Sequence, residues 1–333
     1  MAHRFCTGRT TVLALLVILT AVPPVAAAEE EKGTLSINFE NDLFYNTDRN
    51  YTNGVRAAWL SAPDDTPAWM ARAARLFPLF LEDGTARASY AIGQNMYTPE
   101  DITVPDPPPG DRPYAGWLYG TIGVIAENRE RLDQLGLTIG MVGPASLARQ
   151  TQTLIHSIVG ADRPQGWATQ LQNEPGIVLT YQRSWRQAVS ERLVLGLPFE
   201  VTPHAGGAVG NIYTYSDAGV TVRLGDNLSL DYGPPLIPPG PPGSGYFVPQ
   251  GFGWYLFAGL EGRAVLRNIF LDGNSFRHSR SVNKKPFIAD FQFGGAIIWG
   301  KLRLSYTHVL RTHEFNGQHA GGNFGSFNLS VRF

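Results

Sequence analysis

Residues 321–333 read GGNFGSFNLSVRF. Phe327, Leu329, Val331 and Phe333 share one parity, and Ser326, Asn328, Ser330 and Arg332 share the other. Alternation of this kind specifies a β-strand with an apolar face and a polar face. A helix would spread both sets around its whole circumference. The same period recurs in twelve segments, at roughly 34–44, 50–61, 86–98, 112–127, 130–143, 175–188, 192–203, 208–224, 253–268, 286–299, 301–313 and 321–333. A long series of two-faced strands leaves two broad outcomes: a periplasmic β-protein, or a barrel whose apolar face meets lipid.

An even count of antiparallel strands closes on itself and leaves no unpaired edge in hydrocarbon. The terminal Phe333 matches the C-terminal signal of bacterial outer-membrane barrels. The expected fold is therefore all-β: a closed antiparallel transmembrane β-barrel of about 12 strands, with a short helix in an extracellular loop. The N-terminus fits this destination. Arg4 and Arg9 precede an apolar run from Thr11 to Leu19, and AVPPVAAA follows before three glutamates. That is a secretory signal peptide, with cleavage expected after Ala28. It leaves 29–333 as a single outer-membrane barrel domain. Cys6 is the only cysteine and lies in the signal, so disulfide and thiol chemistry are absent from the expected mature chain. The 27 basic and 28 acidic side chains nearly balance, which argues against nucleic-acid binding through bulk charge.

With both termini in the periplasm, the connections 45–49, 99–111, 144–174, 204–207, 269–285 and 314–320 face outside, and short turns at 128–129, 189–191 and 300 face inside. Residues 62–85 carry a helical pattern (Trp69, Met70, Ala73, Leu76, Phe77, Phe80) and are expected as an amphipathic helix at the inner interface. Residues 231–250, rich in Pro and Gly, are expected as a stiff extended loop. In 144–174, Pro144 suits a first helical turn, Leu147, Thr151, Leu154, Ile155 and Ile158 recur at helical spacing, and Gly160 ends the helix. His156 lies one step off that apolar stripe.

The stretch FENDLFYNTDRNYTNG at 39–54 holds more polar side chains than a hairpin turn requires. By parity Asn41 and Asn53 point to lipid, whereas Asp42 and Thr52 point to the lumen. An amide on the lipid face is costly unless satisfied, so these two call for a covering loop, a bound ion, a substrate or headgroup water. Gln94, Asn95, Asp111, Arg112, His156, Asp162, Asn173 and Glu174 fall at the same rim. Oxygen ligands with one histidine and no cysteine suit a hard cation such as Ca2+ rather than structural zinc. A cation of that kind polarises an ester carbonyl, and a neutral histidine takes a proton from water near neutral pH. The chain has no GxSxG elbow, and Ser157 points about 100° away from His156 on a helix, which weakens a Ser–His pair. The bland reading of His156 is a structural or solvated residue.

Several segments together resemble the outer-membrane lipid A 3′-O-deacylases, the LpxR family. They are FEND at 39–42, YTNG at 51–54, DRPYAGW at 111–117, His156 in its helix, and GWATQLQNEP at 166–175. The resemblance covers most of the first half; the second half matches mainly as barrel. It implies a twelve-stranded barrel with its site between the wall and a loop helix near the outer face. It further implies a calcium-dependent esterase that removes the 3′ acyloxyacyl group of lipid A. Site residues carried over are His156 as base and Asn41 and Asp42 as catalytic and calcium-holding residues, with Thr52, Glu174 and Asp162 as further candidates. The loop at 231–250 is not a feature associated with the family.

Arg277, Arg280, Lys284 and Lys285 form a cationic group in the outer loop 269–285, on the side where lipopolysaccharide carries phosphate. Paired Arg and Lys suit phosphate recognition, and Arg112 joins them as a substrate-binding candidate. An ordinary solvated loop is the alternative. The expected partners are lipid A or lipopolysaccharide and the outer membrane of a Gram-negative bacterium, with no nucleic acid and the protein as a monomer. Two other functions stay open at this level: an outer-membrane phospholipase, and a non-enzymatic barrel.

Overall fold

The wall of the molecule is one antiparallel sheet closed into a barrel. The computed structural model describes residues 32–41, 50–80, 83–186, 189–228, 231–234, 247 and 251–333, with backbone alone at 50–52 and 189–192. The predicted signal peptide, Asp42 and most of the Pro-rich loop lie outside the described residues. The strands are β1 (Gly33–Asn41), β2 (Asn50–Ser61), β3 (Thr85–Thr98), β4 (Ala115–Glu127), β5 (Arg131–Val142), β6 (Glu174–Trp185), β7 (Val189–Val194), β8 (Leu197–Gly210), β9 (Tyr213–Asp226), β10 (Phe252–Asn268), β11 (Phe287–Trp299), β12 (Leu302–Arg311) and β13 (Gly322–Arg332). β1 pairs with β13, and β6 pairs with β8. Where β6 ends its pairing at Ser184↔His204, β7 takes over at Val189↔Val201. β6 and β7 thus share one wall position, and thirteen segments make a twelve-strand barrel.

The alternation behaves as lipid and lumen require. On β1, Ile37 and Phe39 are exposed to the outside, while Ser36, Asn38 and Glu40 are buried inside. The lumen is crossed by ion pairs. Asp231 accepts from Arg223 at 2.5 Å, Arg303 at 2.8 Å and the Tyr255 hydroxyl at 2.6 Å. Arg223 also grips both oxygens of Glu200, at 2.9 and 2.8 Å. Asp290 accepts from Arg311 at 2.8 and 2.7 Å and from Arg263. Nearer the mouth an apolar plug includes Tyr97, Trp117, Tyr213 and Phe270, with the Tyr97 and Phe270 rings stacked at 4.1 Å.

Two expected reversals are displaced. Residues 204–207 are interior to β8, and the chain turns at 211–212 instead. The Pro and Gly residues there read as loop but serve the wall. Pro203 lies between the β7 and β6 pairings, where the ladder does not need its missing N–H. A Cβ on Gly206 would come within 2.4 Å of the Tyr181 carbonyl oxygen, so the strands approach closely at that point. The turn expected at 189–191 falls at 195–196, where Leu195 and Gly196 both have positive φ (54° and 79°), as a two-residue hairpin turn needs.

The inner helix is shorter than its pattern suggested: α1 (Ala68–Arg75) follows Pro67 and buries Met70 and Ala74 against Ala88, Val124 and Ala126 on the outer wall. The described ends of the Pro-rich segment, Asp231 and Phe247, pair with each other and are buried. The long connections gather at the opposite end. They carry α2 (Ala148–Val159) and α3 (Ile269–Asp272), whose Asn268 side chain caps it by accepting from the Phe270 amide.

Candidate functional site

Cross-strand register puts Asn41, Asn53, Met96 and Gly116 in one row on the outer face of β1–β4. Other residues of that parity, such as Phe39 and Val55, are exposed, yet Asn41 and Asn53 are only 3% and 2% exposed. Both amides are therefore covered from outside. Asn53 has neither side-chain atom hydrogen-bonded among the described residues. A buried amide left this way costs about 1–3 kcal/mol, so the row is poised for a partner.

The helix α2 packs over β3 and β4 on this same face. A Cβ on Gly116 would lie 2.2 Å from both Ala148 Cβ and Ser146 Oγ, so only glycine lets the helix start sit on the wall. Gln94 Nε2 donates to the Ser146 carbonyl at 2.6 Å. Met96, Ile102, Tyr114, Ala148 and Trp167 form the apolar seat, with Tyr114 and Trp167 rings 4.9 Å apart. A single 3-10 turn (Pro144–Ser146) precedes α2, and Leu147, at φ 61°, separates the two, so Pro144 opens that turn and not the helix itself. Gly160, at φ 73°, ends the helix as its position suggested.

The helix is turned opposite to its apolar stripe. It buries Ala148, Gln152 and His156, spaced by four, and exposes Leu154 (61%) and Ile158 (70%). In a soluble protein this would be upside down; on a lipid-facing wall it puts apolar atoms toward acyl chains and keeps polar groups beneath. Trp167 Nε1 donates to Gln152 Oε1 at 2.7 Å. His156 Nδ1 lies 2.5 Å from the Asp162 carbonyl oxygen. A carbonyl only accepts, so Nδ1 carries the proton and Nε2 is the basic nitrogen of the neutral ring.

The structure thus gathers Asn41, Asn53, Gln94, Gln152 and His156 on one outer surface, with Asp162 contributing its backbone carbonyl. Asp42 and the Thr52 side chain lie outside the described residues. Glu174 is not brought to this surface. It faces the lumen in register with Val142, and its carboxylate accepts from Asn211 (3.1 Å), Asn274 (3.0 Å) and the Ser275 amide (2.8 Å). Arg112 is also on the lumen side, fully buried, 5.1 Å over the Tyr97 ring and 3.2 Å from Glu314. Of the loop cations, Arg280 donates to the Pro107 carbonyl at 2.6 Å and pairs with Asp106, and Lys284 pairs with Asp272 at 2.8 Å. Arg277 is exposed and Lys285 half-buried. Gln152 was not singled out by sequence, although its place four residues before His156 was a usable signal.

The two amides of the row offer oxygen atoms of the kind a hard cation takes. Asn53 Oδ1 is a buried, unsatisfied oxygen of the kind such an ion takes, and the covered Asn41 amide is its cross-strand neighbour.

A closed twelve-strand wall with an apolar outer face and an ion-paired lumen defines an integral β-barrel of the bacterial outer membrane. The family model described as "Outer membrane protein LpxR" matches residues 12–333, and the chain belongs to that family. Among solved structures it is similar to LpxR from Salmonella typhimurium, at 22% identity and a TM-score of 0.72, covering 90% of this chain and 100% of that one. The β domain of the Bordetella autotransporter BrkA matches at 9% identity and a TM-score of 0.43, over 91% and 99% of the two chains. No curated protein sequence matches.

Proposed function

We propose that this protein is a calcium-dependent esterase that hydrolyses the 3′-linked acyloxyacyl group of lipid A within the outer leaflet. Family membership and the shared fold support an outer-membrane lipid A deacylase role. The observation that carries the chemistry is His156: held at Nδ1 by the Asp162 carbonyl, on a helix seated beside a row of buried amides.

In this reading His156 Nε2 takes a proton from water. The water oxygen attacks the ester carbonyl, the bond to the 3′ oxygen breaks, and that oxygen leaves with a proton. The acid is released as the free acyloxyacyl chain. The helix face Ala148–Gln152–His156 orients the base against the wall, and Leu154 and Ile158 hold acyl chains while excluding water. Asn41, Asp42 and Thr52 would hold Ca2+, which would supply electrophilic stabilisation of the developing oxyanion. Arg277 and Lys285 contact phosphate on the substrate, while Arg280 and Lys284 keep the loop in shape through their own pairs. The protein acts as a monomer.

The test is purified protein with lipid A or with glycerophospholipid, in calcium or in chelator, followed by mass analysis. Loss of one acyloxyacyl unit from lipid A, in calcium only, is expected. Cleavage of the phospholipid alone would make it a phospholipase, and no cleavage of either would leave a non-enzymatic barrel.

A further inference from the structure

We propose that His204, Asp217 and Glu261 form a second metal site, in the barrel lumen, for a divalent transition metal such as zinc. The three side chains come from β8, β9 and β10, which are neighbours in the wall, and all three have inward parity. One ligand atom from each lies within 4.8 Å of the other two. His204 and Glu261 flank Gly219, which is in register with both. A Cβ on Gly219 would lie 2.6 Å from His204 Cε1 and 2.7 Å from Nε2, so the glycine lets the imidazole cross β9. His204 Nε2 reaches 3.2 Å from Glu261 Oε2. Two ligands of one tetrahedral zinc ion sit about 3.3 Å apart, so this pair is already spaced to share an ion.

Charge favours the same reading. Asp133, Glu200, Asp231 and Asp290 each accept hydrogen bonds from an arginine. Asp217 is different: no donor among the described residues bonds its carboxylate. Its register neighbour Arg263 is committed to Glu261 at 2.7 Å and to Asp290. Around this point Arg263 and Arg311 bond Glu261 and Asp290, and His204 lies beside Glu261, which leaves Asp217 without a directly bonded countercharge. A bound cation would supply it. A cavity of about 40 Å³, lined by His204, Thr202, Thr221, Tyr232 and Gly233 among others, borders the site on its His204 side. One imidazole nitrogen with two carboxylate oxygens suits zinc or manganese better than calcium.

This site is separate from the outer-face row, and its test can be kept separate. The full mature barrel carrying His156→Ala is saturated with Ca2+, exposed to Zn2+, freed of loose metal, and assayed for zinc per chain. One retained zinc is expected, with Asp217→Asn and His204→Gln each binding at least ~10-fold more weakly. No zinc in the parent, or equal retention in both variants, would overturn the proposal. Should a variant fail to fold, as judged by heat-modifiable gel mobility, anomalous scattering from zinc-soaked parent crystals decides. A peak between His204 and Glu261 supports the site; peaks only elsewhere reject it.

Discussion

Two regions of the wall treat buried polar groups in opposite ways: the arginine–carboxylate network of the lumen and the amide row beneath α2. In the lumen, Asp231, Asp290 and Glu200 are saturated by arginines at hydrogen-bond distance. On the outer face, Asn53 is buried with neither side-chain atom bonded, and Gln152 has its Nε2 unbonded. A saturated network fills and stiffens; an unsatisfied one is ready for a ligand. The network around Asp231 and Asp290 is thus a region of stability, and the amide row beneath α2 is the region of the proposed chemistry.

Substitutions on each face should separate those roles. His156→Ala should lower lipid A deacylation by about 100- to 10,000-fold, because it removes the proton acceptor, with folding unchanged by heat-modifiable mobility. Gly116→Val should lower activity by about 100-fold in the same assay, since its side chain overlaps Ala148 and Ser146 and lifts the helix from its seat. Asp231→Ala should do the reverse. It leaves Arg303 without its carboxylate and Arg223 with Glu200 alone, so unfolding stability in urea should fall by about 3–5 kcal/mol, with activity per folded molecule retained. The smallest effect belongs to the loop. Arg277→Ser with Lys285→Ser should raise the KM for lipid A about two- to five-fold, as expected for solvent-accessible loop charges. A large activity loss from Asp231→Ala, or none from Gly116→Val, would collapse the distinction between the faces.

The barrel was legible because alternation is a local property. Ile37 and Phe39 against Asn38 and Glu40 already state which side is lipid. The reversal expected at 204–207 fails because Pro203 and Gly206 have uses inside a sheet that composition does not reveal, one at a gap in pairing and one at a close approach, and the turn expected at 189–191 lies instead at Leu195–Gly196. His156 and its helix could be found from spacing, but not the helix's rotation. Sequence shows an apolar stripe and does not say whether lipid or protein lies against it. Glu174 and Arg112 stood at the right height on the wall but on its inner side, and height is easier to read than facing where strands begin. The cluster of His204, Asp217 and Glu261 escaped notice because its members are far apart in sequence and meet only through register.

The most direct measurement is mass analysis of lipid A after incubation in calcium with wild-type protein, His156→Ala and Asp231→Ala in parallel. The account predicts loss of the 3′ acyloxyacyl unit with wild type and with folded Asp231→Ala, and intact lipid A with His156→Ala. Full deacylation by His156→Ala would contradict it.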